Sequence, residues 1–67
     1  MRFNLKTARR LKGYTPQDMA ETLGISASFY YKIEKGSTNP SFKLALKIAD
    51  LLDYKDVREL FEMEEPS

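Results

Sequence analysis

The stretch TPQDMAETLGISASFYYKIEKG, residues 15–36, decides how the rest of the chain is read. Thr15 has the side chain of a helix N-cap. Pro16 suits the first helical position, where its missing N–H is not needed, and Asp18 puts a carboxylate in the first turn. Met19, Ala20 and Leu23 then follow at helical spacing. Gly24 lets the chain leave the helix with positive φ, because no Cβ clashes there. After Ile25, Ser26 is a second N-cap, and a second helix is predicted to run to about Lys35, where Gly36 stops it. The stretch therefore reads as a helix at about 16–23, a tight turn, and a helix at about 27–35.

Two short helices joined by a turn of a few residues make a helix-turn-helix. The second helix divides into two sides. Phe29, Tyr30 and Ile33 form one, and both aromatics are expected in the core. Ala27, Ser28, Tyr31, Lys32 and Lys35 form the other, which is small or polar, as a face meeting a DNA groove should be.

The 67-residue length allows one domain, predicted to span 1–67, with a core of marginal size. Cys and His are both absent, which excludes disulfides and any Cys- or His-based metal site. No apolar run approaches the roughly 20 residues that span a bilayer, and the N-terminus lacks a signal-peptide pattern. A cytoplasmic protein with no membrane partner is expected, with oligomerisation as the source of extra stability.

The net charge of +1 conceals an asymmetry. Residues 1–36 hold seven Lys/Arg and three acids, a net +4, whereas residues 37–67 hold four and seven, a net −3. The basic half contains the helix-turn-helix, the polarity expected if that half faces phosphate. Charges on solvated faces also serve solubility, so this asymmetry supports DNA binding without proving it.

Outside the central stretch, residues 3–12 predict a basic first helix. Leu5 and Ala8 make its inner face, which Leu11 could extend, and Lys6, Arg9, Arg10 and Lys12 are its polar positions. Gly13 ends it, and Tyr14 is placed to staple against the next helix. STNP at 37–40 is a loop and Ser41 the next N-cap. The helix at about 42–52 is apolar nearly all round apart from Lys43, Lys47 and Asp50, more than one small chain can cover, so part of it is expected to meet a second copy. Asp56 caps a last helix at about 57–62, with Val57, Leu60 and Phe61 facing the core. The acidic tail, 62–67, is expected to fray as a solvated segment. Five helices without strands predict an all-α domain.

From Leu5 to Phe61 the chain resembles the phage-repressor and Cro type of helix-turn-helix domain, the XRE family. The residues that carry the likeness are Arg9, Gly13, Thr15, Met19-Ala20, Leu23-Gly24-Ile25-Ser26, Ile33-Glu34-Lys35-Gly36, Asn39-Pro40-Ser41, Lys47-Ile48-Ala49 and Leu52. The resemblance implies a five-helix lambda-repressor-like fold in a bacterial or phage regulator, with the third helix as recognition helix. It also implies a homodimer on a near-palindromic operator, with no cofactor. A two-fold dimer places two such helices roughly 34 Å apart, one turn of duplex DNA.

Carried onto this sequence, the likeness assigns base contacts to Ala27, Ser28, Tyr31 and Lys32. Phosphate contacts fall to Thr15, Gln17, Lys35, Ser37, Asn39, Lys43 and Arg10, with Lys43 beside the anion-attracting start of the fourth helix. Arg9 and Glu34 resemble a structural ion pair linking the first helix to the end of the third. A dimer surface is expected from Phe42, Leu51, Tyr54 and Phe61. One departure stands out. The family usually has Gln at the first position of helix 2, reaching a phosphate, and here that position is Pro16. Gln17 comes one residue later and points about 100° away. The short side chains of Ala27 and Ser28 also limit direct readout and leave DNA shape to carry part of the specificity.

The expectation is a double-stranded-DNA-binding transcriptional regulator, a repressor acting as a homodimer. Two alternatives remain: an antitoxin-type autoregulator, whose protein partner would be a toxin (or an antirepressor in the phage case), and an interaction module that has lost DNA binding. An enzyme is not expected, for want of His, Cys, a Gly-rich phosphate loop or a paired-carboxylate pocket.

Overall fold

Helix-starting residues recur along the chain, and each begins a helix in the computed structural model, which describes residues 2–62. The order is α1 (Phe3–Leu11), α2 (Pro16–Leu23), α3 (Ala27–Lys35), α4 (Phe42–Leu51) and α5 (Val57–Leu60). There is no strand among the described residues. Thr15 and Asp18 form a reciprocal capping box on α2, and Ser26, Ser41 and Asp56 cap α3, α4 and α5. Gly24 and Gly36 close α2 and α3 at φ of 72° and 85°, in the left-handed region that a Cβ disfavours.

All five helices supply the core. Leu5 and Ala8 of α1, Met19 and Ala20 of α2, Tyr30 and Ile33 of α3, Ala45, Ile48 and Ala49 of α4, and Leu52, Leu60 and Phe61 form one buried cluster. α2 packs chiefly on α3 and also touches α4, while α1 bridges α3 and α5. Tyr14, Leu23, Ile25, Val57 and Ala27 are half-buried around this centre.

Some expectations fail on helical geometry. Leu11 is 84% exposed. At 100° per residue it lies about 120° round from Leu5, outside the buried face. Phe29 is 36% exposed, whereas Tyr30 is fully buried. The inner stripe of α3 is Tyr30, Ile33 and Glu34, and Phe29 falls at its edge. The last helix stops at Leu60, and Phe61 and Glu62 form a turn with Glu62 at φ 54°.

Glu62 is exposed, but its side chain is anchored. Its Oε1 accepts from the Asn4 backbone N–H at 2.8 Å, and Asn4 Nδ2 donates to the Glu59 carbonyl at 2.8 Å. This docks the end of α5 on the N-terminus of α1, where a carboxylate meets the positive end of the helix dipole. The expectation for residues 63–67 lies outside the described residues.

Candidate nucleic-acid interface

α3 is clamped from within, and this sets its outer face. Arg9 on α1 donates to Glu34 through Nε at 3.1 Å and through Nη2 at 3.0 Å, both groups being buried. Its Nη1 also donates to the Tyr14 carbonyl at 2.7 Å, tying α1, the α1–α2 link and α3 together. The bond to Glu34 raises the Arg9 pKa, so the guanidinium remains charged. Tyr30 lies beside it. Burial, reinforced by the negative charge of Glu34, pushes its phenol well above the ordinary range, and its Oη has no hydrogen-bond partner among the described residues.

Arg2 holds the same, C-terminal end of α3. Its backbone N–H donates to the Glu34 carbonyl at 2.9 Å, and its guanidinium donates to the carbonyls of Ile33 and Thr38 and to Asn39 Oδ1. The guanidinium also lies 5.6 Å from the centroid of the Phe61 ring. A cation thus sits on the last carbonyls of α3, where the helix dipole is negative. Nothing in the sequence singled out Arg2. Its partners lie at the end of α3 and in the loop after it, more than thirty residues away, and no local pattern records them.

With Tyr30, Ile33 and Glu34 turned inward, α3 exposes Ser28, Tyr31, Lys32 and Lys35. Ala27 is half-buried against the core and offers little more than its outer edge. Gln17, Ser37, Lys43 and Arg10 are exposed. Thr15 is exposed too, but its Oγ1 already accepts from the Asp18 N–H at 3.1 Å, and the Asp18 carboxylate accepts from the Thr15 N–H at 2.9 Å. The side-chain carbonyl of Asn39 is engaged by Arg2.

A cleft of about 320 Å³ runs between α1 and the outer side of α3, lined by Lys6, Arg9, Arg10, Pro16, Tyr31, Glu34 and Lys35. Lys6 was not among the expected contact residues. The signal was present in its i, i+4 spacing to Arg10 on the basic side of α1. Among the described residues no group of three or more acidic side chains gathers to hold a metal, and no helix is long and apolar enough to cross a membrane.

On the far side, Phe42 is 75% and Leu46 44% exposed, and Leu51 and Tyr54 are half-buried. Phe61, expected at a dimer surface, is only 3% exposed. It is packed against Arg2 in the core, because the chain turns inward after Leu60.

α2 and α3 form a short helix pair with a left-handed glycine ending each helix, the second helix buried on one side and polar on the other. The sequence model of the helix-turn-helix family, HTH_3, covers residues 5–60. The chain belongs to the phage-repressor and Cro type of helix-turn-helix family. Similar chains are themselves described as HTH-type transcriptional regulators, though uncharacterized. One from Methanocaldococcus jannaschii is 40% identical over 65 residues, covering 97% of both chains. One from Methanothermobacter thermautotrophicus is 31% identical over 65 residues, 97% of this chain and 94% of that one. A third, from Bacillus subtilis, is 42% identical over 50 residues, 75% of this chain and 43% of its own length. No solved structure matches. This helix-turn-helix protein is therefore a DNA-binding transcriptional regulator and not an enzyme. Its relatives include archaeal as well as bacterial proteins, so the family does not restrict it to bacteria or phages.

Proposed function

We propose that the chain is a sequence-specific repressor that binds a near-palindromic operator as a homodimer, with α3 in the major groove, and works in the cytoplasm. The observation that carries this reading is the two-sidedness of α3. One stripe is locked to α1 and the N-terminal arm, and the opposite stripe is small, polar and basic. A rigidly held helix with such a face can present side chains to base edges in a fixed register.

In this reading Ser28 and Lys32 make hydrogen bonds to bases, with Lys32 suited to guanine O6 and N7, and Ala27 and Tyr31 add contact at the groove wall. Ser37, Lys43 and the free amides at the start of α4 hold phosphates, as does Gln17, with Thr15 and Asn39 in lesser roles because their side chains already serve the fold. Phe42, Leu51 and Tyr54 supply the apolar surface for a second copy, and Phe61 does not. With few long side chains at the start of α3, sequence-dependent DNA shape contributes to the choice of site.

Selection of bound duplexes from a random pool tests this directly. The expected product is a two-fold site with half-sites about one helical turn apart. Recovery of no enriched sequence at low salt would overturn the proposal.

A further inference from the structure

Of the cations that line the basic cleft between α1 and α3, Arg10 and Lys35 are expected phosphate contacts and Lys6 has no assigned partner. Lys6 and Arg10 are one turn apart on α1, and Tyr31 and Lys35 are one turn apart on α3. The buried Arg9–Glu34 pair lies at its base, and Pro16 also lines it. We propose that this cleft seats a single phosphodiester of the bound duplex, gripped by Lys6, Arg10 and Lys35. It thereby adds an anchor beside the N-terminus of α2, where Pro16 has no N–H and the Thr15 and Asp18 N–H groups are already held. The inference rests on the DNA-binding reading above and adds which surface carries a principal backbone anchor.

Charge supports it first. Arg9 is neutralised within the cleft by Glu34 at 3.0 Å, whereas Lys6, Arg10 and Lys35 have no ion-pair partner among the described residues. Three cations therefore face one concavity without a counter-ion from the protein, an arrangement suited to an anion that brings the missing charge.

The state of α2 supports it independently. A helix N-terminus binds phosphate through free N–H groups. Here Pro16 has none, the Thr15 N–H is held by the Asp18 carboxylate, and the Asp18 N–H is held by Thr15 Oγ1. These bonds also lower the Asp18 pKa, so the carboxylate stays ionised at neutral pH. A phosphate approaching that terminus would meet the negative charge of Asp18. The nearest cations are those of the cleft.

Position completes the case. Tyr31 and Lys35 belong both to the cleft wall and to the exposed stripe of α3. A phosphate seated there belongs to the strand that borders the groove α3 enters, so the cleft fixes the depth and angle of that helix. Tyr31 is placed to donate its hydroxyl to the same phosphate.

The test is binding to one fixed duplex across a range of salt, by the intact chain and by the double variant Lys6→Gln with Arg10→Gln. One phosphate contact corresponds to a slope of about 0.9 in log K against log salt. The double variant should lose about that much slope, by a similar amount on duplexes of unrelated sequence. Lys47→Gln, which removes a charge away from the cleft, should keep the slope. Adding Pro16→Gln to the double variant should restore part of the affinity. Parental binding with an unchanged slope in the double variant overturns the cleft assignment and leaves the DNA-binding reading standing. Failure of the unaltered chain to bind any duplex overturns both.

Discussion

α3 and α4 begin alike. Each follows a serine whose Oγ accepts from the amide three residues on, at 3.1 Å in both. Each buries the same stripe counted from its cap: Tyr30, Ile33 and Glu34 in α3, Ala45, Ile48 and Ala49 in α4. The differences lie in what fills those positions and what is left outside. The inner face of α3 carries bulk and a charge, clamped by Arg9. The inner face of α4 is small, with two alanines flanking Ile48. Outward, α3 shows Ser28, Tyr31, Lys32 and Lys35, whereas α4 shows Phe42 and Leu46 beside Lys43 and Lys47. One helical frame thus presents a hydrogen-bonding, cationic surface on one element and a partly apolar one on the other. The first suits a hydrated polyanion, the second another protein surface.

The comparison can be broken most forcefully at the matching inner positions, Glu34 and Ala49. Glu34→Ala strands the buried Arg9 guanidinium and should cost about 3 kcal/mol or more, a large part of the stability of so small a domain. Urea denaturation followed by circular dichroism would show it. Removing both partners should cost less than removing Glu34 alone. Ala49→Gly should cost only about 1 kcal/mol, because nothing charged depends on it.

A smaller effect is expected at the start of α2. Thr15→Ala removes one half of the capping box and should cost about 1 kcal/mol. The same box predicts acid sensitivity. The folded-state pKa of Asp18 lies below its ordinary value, because the Thr15 backbone N–H and side chain favour the carboxylate. Its contribution is therefore fully present above the ordinary carboxylate range and is lost as pH falls through the lowered folded value. Asp18→Asn should flatten that part of the stability-versus-pH curve, measured as thermal midpoints from neutral to acidic pH.

How much of this was legible in the sequence depends on how local each determinant is. Thr15, Gly24, Ser26, Gly36 and Ser41 act within a few residues of themselves, so caps and turns could be read from order alone. The fold class followed from them together with the family likeness. Leu11 and Phe29 were misjudged because an apolar residue at the edge of a face has the same spacing signal as one inside it, and only the neighbouring helix decides. Arg2 and Glu62 were missed for a different reason. Each bonds to groups remote in the sequence, Arg2 to the end of α3 and Glu62 to the start of α1. The basic side of α1 was visible, but its closure with Tyr31 and Lys35 into a cleft required the packing of α1 on α3.

Tyr30→Phe sharpens the comparison at lower amplitude. The hydroxyl is buried without a hydrogen-bond partner among the described residues, so its removal should leave stability unchanged or raise it by up to about 1 kcal/mol. Phe42→Ser on the outer side of α4 should change the stability of the single chain by no more than about 0.5 kcal/mol. Its expected effect is on association, and sedimentation at matched concentrations should show a shift toward monomer.

The central claim is that α3, and not α4, is the helix that enters DNA. Amide chemical-shift mapping of the labelled chain during titration with a selected duplex tests it most directly. The predicted result is that the largest shifts fall on residues 27–32 and Lys35, with further shifts on Lys6 and Arg10, while Leu46 and Lys47 in the body of α4 stay near their free positions. Shifts concentrated on the body of α4, with α3 unmoved, would contradict it.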